Sequence, residues 1–174
     1  DGVSRKRPLT LFDWFEFGRR CFHAHDGVEA IRALLKVTGN NPAYRHADGD
    51  NPYFYLGKIH EVEGRLRQAI IYYTRALAVD PFDEDSLIGL GTCHTVTGQH
   101  QAAIYNFEYL LRFPKGRRKI PQKHLFLMLA ENYRRTENWV QAIFWGQLAE
   151  DAHAGNERQQ ELYGQLVAAV NGHS

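Results

Sequence analysis

Large apolar residues recur along this chain in blocks that share one internal order. In the clearest block Tyr53 is followed by the pair Leu56-Gly57, then by His60, Gly64, Ala69-Ile70, Tyr73, Ala76 and Pro81. The next block repeats the order as Leu87, Leu90-Gly91, His94, Gly98, Ala103-Ile104, Phe107, Leu110 and Pro114. The two Leu-Gly pairs stand 34 residues apart. Within a block the apolar positions fall three and four residues apart on either side of a Gly, which predicts two amphipathic helices joined by a tight turn. Such a hairpin cannot bury its apolar face alone and must stack on its neighbours. The pattern therefore predicts an all-α chain of stacked helical hairpins, a short solenoid, and solenoids characteristically serve as binding surfaces.

Two further blocks carry the same order less regularly. The first supplies Trp14, Phe17-Gly18, Cys21, Ala30-Ile31, Leu34, Val37 and Pro42, and the last supplies Phe126, Leu129-Ala130, Tyr133, Trp139, Ala142-Ile143 and Ala149. The predicted hairpins span about 11–44, 50–83, 84–117 and 123–156. The first and last junctions each carry five residues beyond the regular spacing, within 44–49 and 116–122. Predicted helices cover about 11–24, 27–39, 52–63, 66–79, 84–97, 100–113, 120–136 and 139–153. Thr10 with Asp13 marks a helix start, and Asn51-Pro52 marks another, the Asn as cap and the Pro in the first turn. Residues 1–10 form a basic N-terminal arm containing Arg5-Lys6-Arg7, and 157–174 comprise a capping helix and tail. Leu162, Leu166, Val167 and Val170 make one apolar stripe there, with polar residues opposite. The small residues Gly18, Gly57, Gly91 and Ala130 face Ala30, Ala69, Ala103 and Ala142, which predicts close backbone approach within each hairpin.

The order Trp-x2-Leu-Gly-x2-Tyr, Gly, Ala-x3-Phe-x2-Ala, Pro resembles that of the tetratricopeptide repeat family, and the block at 50–83 matches it best. The last block departs from it at Glu137, where the family has Gly, at Gly146, where it has a ring, and in lacking the closing Pro. The resemblance implies an all-α, right-handed superhelix of helical hairpins whose first helices line a groove for peptide segments. Its groove positions fall here on Phe12, Phe15, Arg19 and Phe22; on Asn51, Phe54, Lys58 and Glu61; on Asp85, Ile88, Thr92 and Thr95; and on His124, Leu127, Glu131 and Arg134. Phe12, Phe15, Phe22, Phe54, Ile88 and Leu127 make an apolar track, with Arg19, Lys58, Glu61, Glu131 and Arg134 setting register. A partner segment, or an arm or loop of this chain, is expected in that groove. A Phe15→Glu/Phe54→Glu double variant is expected to lose the partner and keep its helices. The Lys/Asn clamp by which some family members grip acidic chaperone tails does not occur at the matching positions, where Phe15, Arg19, Tyr55, Asp85 and Gly89 stand.

Composition narrows the function further. The net charge is +1, so no global field draws the chain to nucleic acid or membrane. No apolar run approaches the roughly 20 residues of a membrane span. The expected setting is thus soluble and inside the cell, in cytoplasm or an organelle such as the mitochondrion. A first residue other than Met fits a trimmed piece or a processed mature form. Nine histidines and two cysteines show no metal spacing, and no nucleophile or phosphate-loop motif is present. No enzymatic role, metal or cofactor is expected. Arg112, Lys115, Arg117, Arg118, Lys119 and Lys123 form a basic patch that suits an acidic partner, RNA or an anionic surface. The function expected is a non-enzymatic scaffold, adaptor or assembly subunit of a larger complex. The alternatives are an RNA-associated protein and a chaperone of type III secretion translocators, whose middle repeat Ile88 to Cys93 and Gly98-Gln99-His100 resemble.

Overall fold

The computed structural model describes residues 8–113 and 120–151, and every element in them is an α-helix. The helices are α1 (Leu11–His23), α2 (Gly27–Asn40), α3 (Pro52–Val62), α4 (Leu66–Val79), α5 (Glu84–Val96), α6 (His100–Leu111), α7 (Gln122–Arg135) and α8 (Trp139–Asp151). Each lies within two residues of its sequence expectation, α8 being described only as far as Asp151, and the differences fall at helix ends, where the last turn lacks intrahelical partners. The expected basic arm and capping helix lie outside the described residues, apart from the last residues of the arm.

The helix starts are set by local chemistry. Thr10 and Asp13 form a reciprocal capping box: the Asp13 N–H donates to Thr10 Oγ1 at 3.2 Å and the Thr10 N–H donates to the Asp13 carboxylate at 2.8 Å. Asn51 Oδ1 accepts from the N–H groups of Tyr53 and Phe54, with Pro52 in the first turn. α4 and α6 have no side-chain cap, and their starts are set instead by the preceding turn. Gly64 and Gly98 take left-handed φ values of +74° and +77° there, and the next N–H reaches back to the carbonyl of His60 or His94. His25 and Glu137 hold the corresponding positions of the first and last hairpins at φ 59° and 60°, so the turn geometry persists without Gly.

The chain divides into two compact units, Asp1–Cys93 and His94–Ser174. In the first, α1 packs on α2, α2 on α3 and α3 on α4. Its core joins Phe15, Ala30, Leu34, Val37, Tyr53, Tyr55, Leu56, Ile59 and Ala76, and a second cluster holds Ala69, Tyr73, Leu90 and Cys93. Gly18 is where α1 meets α2: a Cβ there would stand 2.9 Å from Leu34 Cγ and 3.3 Å from Ala33 Cβ. In the second unit α6 packs on α7 and α7 on α8. Ala103, Ile104, Phe107, Leu110, Leu125, Leu129, Leu148 and Ala149 are fully or almost fully buried there.

Candidate partner-binding face

In the first unit the groove candidates lie on α1, α3 and α5, the first helices of successive hairpins. The α1 candidates are the most altered by their surroundings. Phe15 is completely buried: Tyr44 and His46 cover its ring with centroids at 5.5 and 5.1 Å, and Tyr55 packs edge-on at 5.8 Å. Phe15 is therefore a core residue. The expectation that Phe15→Glu spares the helices is corrected, because that change places a carboxylate in the core. Phe12 also stacks on His46, at 5.2 Å, and keeps 54 % of its surface exposed.

Arg19 is engaged within the chain. Its guanidinium donates to Glu16 at 2.6 Å, to Asp48 at 2.7 Å and to Asp50 at 3.3 Å, and it lies 5.6 Å from the Phe15 ring centre. Burial alone would raise the Asp48 pKa, but hydrogen bonds from His46 and Arg19 hold this carboxyl well below the usual range. Asp50 also accepts from the Tyr55 hydroxyl. Burial, and then that bond to a carboxylate, push the Tyr55 phenol up. The extra residues of the first junction thus supply a filling for the α1 face from within the chain.

On α3 and α5 more of the face remains open. Phe22 and Phe54, both half-buried, meet the Tyr55 ring edge-on, each at 5.1 Å. Lys58 Nζ pairs with Glu61 at 3.1 Å, and Glu61 also accepts from the Tyr73 hydroxyl. Tyr73 comes from α4, the second helix of its hairpin, and its ring is fully buried between Gly57 on α3 and Gly89 on α5. Burial, followed by the bond to Glu61, drives the Tyr73 phenol far up, so it stays protonated and donates. Ile88 and Thr92 are half-buried on α5. Counting groove positions along first helices could not find Tyr73. Its only sequence signal is the pair of glycines, 57 and 89, on either side of a ring.

The second unit presents its candidates on α7. Leu127 is 46 % exposed. Glu131 accepts two bonds from Arg134, each at 2.8 Å, and one from Arg135 at 2.7 Å, which together push its pKa down to about 2. Behind them Asn132, 1 % exposed, bonds Thr95, the carbonyl of Met128 and His100 Nδ1 at 2.8–3.1 Å. Of the basic patch, Arg112 and Lys123 are exposed, and Lys115, Arg117, Arg118 and Lys119 lie outside the described residues.

Other titratable groups point to packing. His60 stacks on Tyr72 at 5.2 Å and accepts from Arg65 Nε at 2.8 Å, and burial lowers its pKa. Burial raises the Cys93 thiol to about 11, away from thiolate reactivity. Among the described residues no three His, Cys, Asp or Glu side chains gather as a metal site. No described helix is long and apolar enough to cross a membrane.

Hairpins of this kind, with small residues at the helix contacts and a face of first-helix side chains, define an α-helical repeat protein. Residues 51–83 match the tetratricopeptide repeat family. Two solved structures share the fold. The crystal structure of MamA is 19 % identical with a TM-score of 0.69 over 83 % of this chain and 79 % of that one. A second crystal structure of MamA protein is 18 % identical with a TM-score of 0.68 over 83 % and 76 %. No curated protein sequence matches the chain. Residues 51–83 thus carry a tetratricopeptide repeat, and the chain shares the all-α repeat fold of the two MamA structures.

Proposed function

We propose that the chain is a non-enzymatic scaffold or adaptor that binds a segment of a partner protein along the first-helix face. In the first unit the segment is anchored at Phe22, Phe54 and Ile88, and the Lys58–Glu61 pair sets its register. Leu127, Glu131 and Arg134 offer a second stretch of the same chemistry in the other unit. The observation that carries this reading is the pair of half-exposed rings, Phe22 and Phe54, braced against Tyr55 beside an ordered ion pair. Rings held in place by packing lose little entropy on binding, and partly exposed aromatics flanked by charge are characteristic of binding hot spots.

The test uses the full chain as bait in its native lysate, compared with Phe54→Glu and Ile88→Lys, with co-purifying proteins quantified by mass spectrometry. Both variants should lose the same partner set while circular dichroism shows the parent's helix content. Retention of the whole set by both variants would refute the reading. The native elution volume of the parent then separates a stable subunit of a large assembly from an adaptor with one client.

A further inference from the structure

The residues that lengthen the first junction fold back onto the face where the α1 groove positions stand. Tyr44 and His46 close over Phe15, His46 stacks on Phe12, and Asp48 and Asp50 meet Arg19. The turn is knit within itself: the His46 N–H donates to the Asp50 carbonyl at 2.8 Å and the Gly49 N–H to the His46 carbonyl at 3.0 Å. Its outer edge is held by Arg45, which donates to Asp80 at 2.6 Å. Residues 44–50 thus occupy the α1 face as a peptide ligand does, with a ring in a ring cluster and two carboxylates on a cation.

Two features make this hold reversible. The carboxylates that meet Arg19 remain 44 % and 41 % exposed, and ion pairs so placed are weak and screened by salt. The His46 side chain, in contrast, is only 10 % exposed, and its Nε2 makes no hydrogen bond, with the Glu16 carboxylate 3.4 Å away. A buried polar atom with that contact and no hydrogen bond favours the opened state, in which water satisfies it. Once opened, the face offers Phe12, Phe15 and Tyr55 as one ring surface beside Arg19, continuous with Phe22 and Phe54 through Tyr55.

We infer that residues 44–50 are a displaceable strap, an autoinhibitory occupant of the first hairpin's face. A partner segment with the same chemistry, a ring followed by two carboxylates, takes its place and uses Arg19 as the cation. This rests on the reading of the first-helix face as the partner-binding surface. It differs from a simple structural loop because it requires local opening without unfolding of the hairpins on either side.

The test measures amide hydrogen exchange in the full chain, and the binding of a labelled peptide with the sequence of residues 43–51 to the full chain and its variants. The His46 and Gly49 amides should exchange at least about tenfold faster than the Leu56 amide in α3, and Arg19→Gln should speed them about tenfold again while leaving Leu56 unchanged. The peptide should bind Asp48→Asn/Asp50→Asn at least about tenfold more tightly than the parent, and adding Arg19→Gln should abolish that binding. Exchange of His46 and Gly49 at the Leu56 rate in both proteins overturns the strap, as does a peptide that binds parent and variant equally or binds neither. The Phe54→Glu and Ile88→Lys captures do not touch the strap, so the groove reading and the strap fail separately.

Discussion

Gly89→Ala tests the link between packing and the binding face, because a single Tyr ring fills the space between α3 and α5. A Cβ on Gly89 would stand 2.4 Å from Tyr73 Cζ, 2.6 Å from Cε2 and 2.8 Å from the hydroxyl oxygen. On the opposite side, a Cβ on Gly57 would stand 2.7 Å from Cδ1 and 2.8 Å from Cε1. The ring is fully buried, so it cannot swing into solvent to relieve either contact. Overpacking a core costs about 1–3 kcal/mol, and ring atoms at such distances place Gly89→Ala at the upper end. Ala gains about 1 kcal/mol over Gly in a helix interior, which leaves a net loss of about 2 kcal/mol. For a chain of this size that corresponds to a thermal midpoint lower by about 4–8 °C. A displaced Tyr73 also loses its bond to Glu61, so partner binding should weaken with stability. Urea unfolding followed by circular dichroism gives the free energy. Gly146→Ala in α8 is the control: its Cβ meets nothing within 4 Å, so it should stabilise by about 0.5–1 kcal/mol. A Gly89→Ala chain as stable as the Gly146→Ala chain would show that Tyr73 does not fill the space as described.

Two further outcomes follow from burial and charge. Phe15→Ala should cost about 3–5 kcal/mol, as expected for a fully buried ring in the core; a loss in urea unfolding of under about 1 kcal/mol would contradict its burial. Glu131, held by Arg134 and Arg135, has a folded pKa of about 2 against an ordinary value of 4.5. Its folded pKa is lowered, so its contribution to stability is present above pH 4.5 and is lost as the pH falls through about 2. Glu131→Gln should therefore flatten the pH dependence of the urea midpoint in that window and leave the slope above it unchanged. The side chain is 41 % exposed, so the change should be small and should shrink further in high salt.

The helices were legible in the sequence because each hairpin repeats its own instructions: spaced apolar positions, a cap, and a turn residue that accepts positive φ. Glu137 and His25 show that the repeat outweighs local preference, since both take the left-handed turn conformation without being Gly. The face was legible only in outline. Position counting placed Phe22, Phe54, Lys58 and Ile88 on the first helices, but it also offered Phe15 as an anchor when the chain covers it. The reason is physical. Which side chain of a helix meets solvent depends on what packs over it, and the cover here comes from a junction whose five additional residues carry no periodic signal. Gly89, two residues before the glycine of the repeat order on α5, receives the Tyr73 ring, a contact the position count did not offer. Helical spacing cannot register a ring arriving from a neighbouring hairpin.

The polar part of the face is accordingly set from behind. Glu61 stands on a first helix, yet the group that donates to its carboxylate from the core is the Tyr73 hydroxyl, whose ring belongs to a second helix and is gripped by glycines on either side. Fixing one oxygen of a carboxylate through a buried donor restricts where Lys58 can pair with it, so the carboxylate is held in place although the Lys58 side chain stays 41 % exposed. Tyr73→Phe separates the two contributions. It keeps the ring that fills the space between Gly57 and Gly89 and removes only the donor. Stability should fall by about 1–3 kcal/mol, the range for leaving a largely buried carboxylate short of a partner. Binding of the partner set should fall by more than Phe54 variants of matched stability predict, because register is lost while the apolar anchors remain. If Tyr73→Phe binds the same partners undiminished, the Lys58–Glu61 pair is bystander chemistry and selectivity resides in the rings alone.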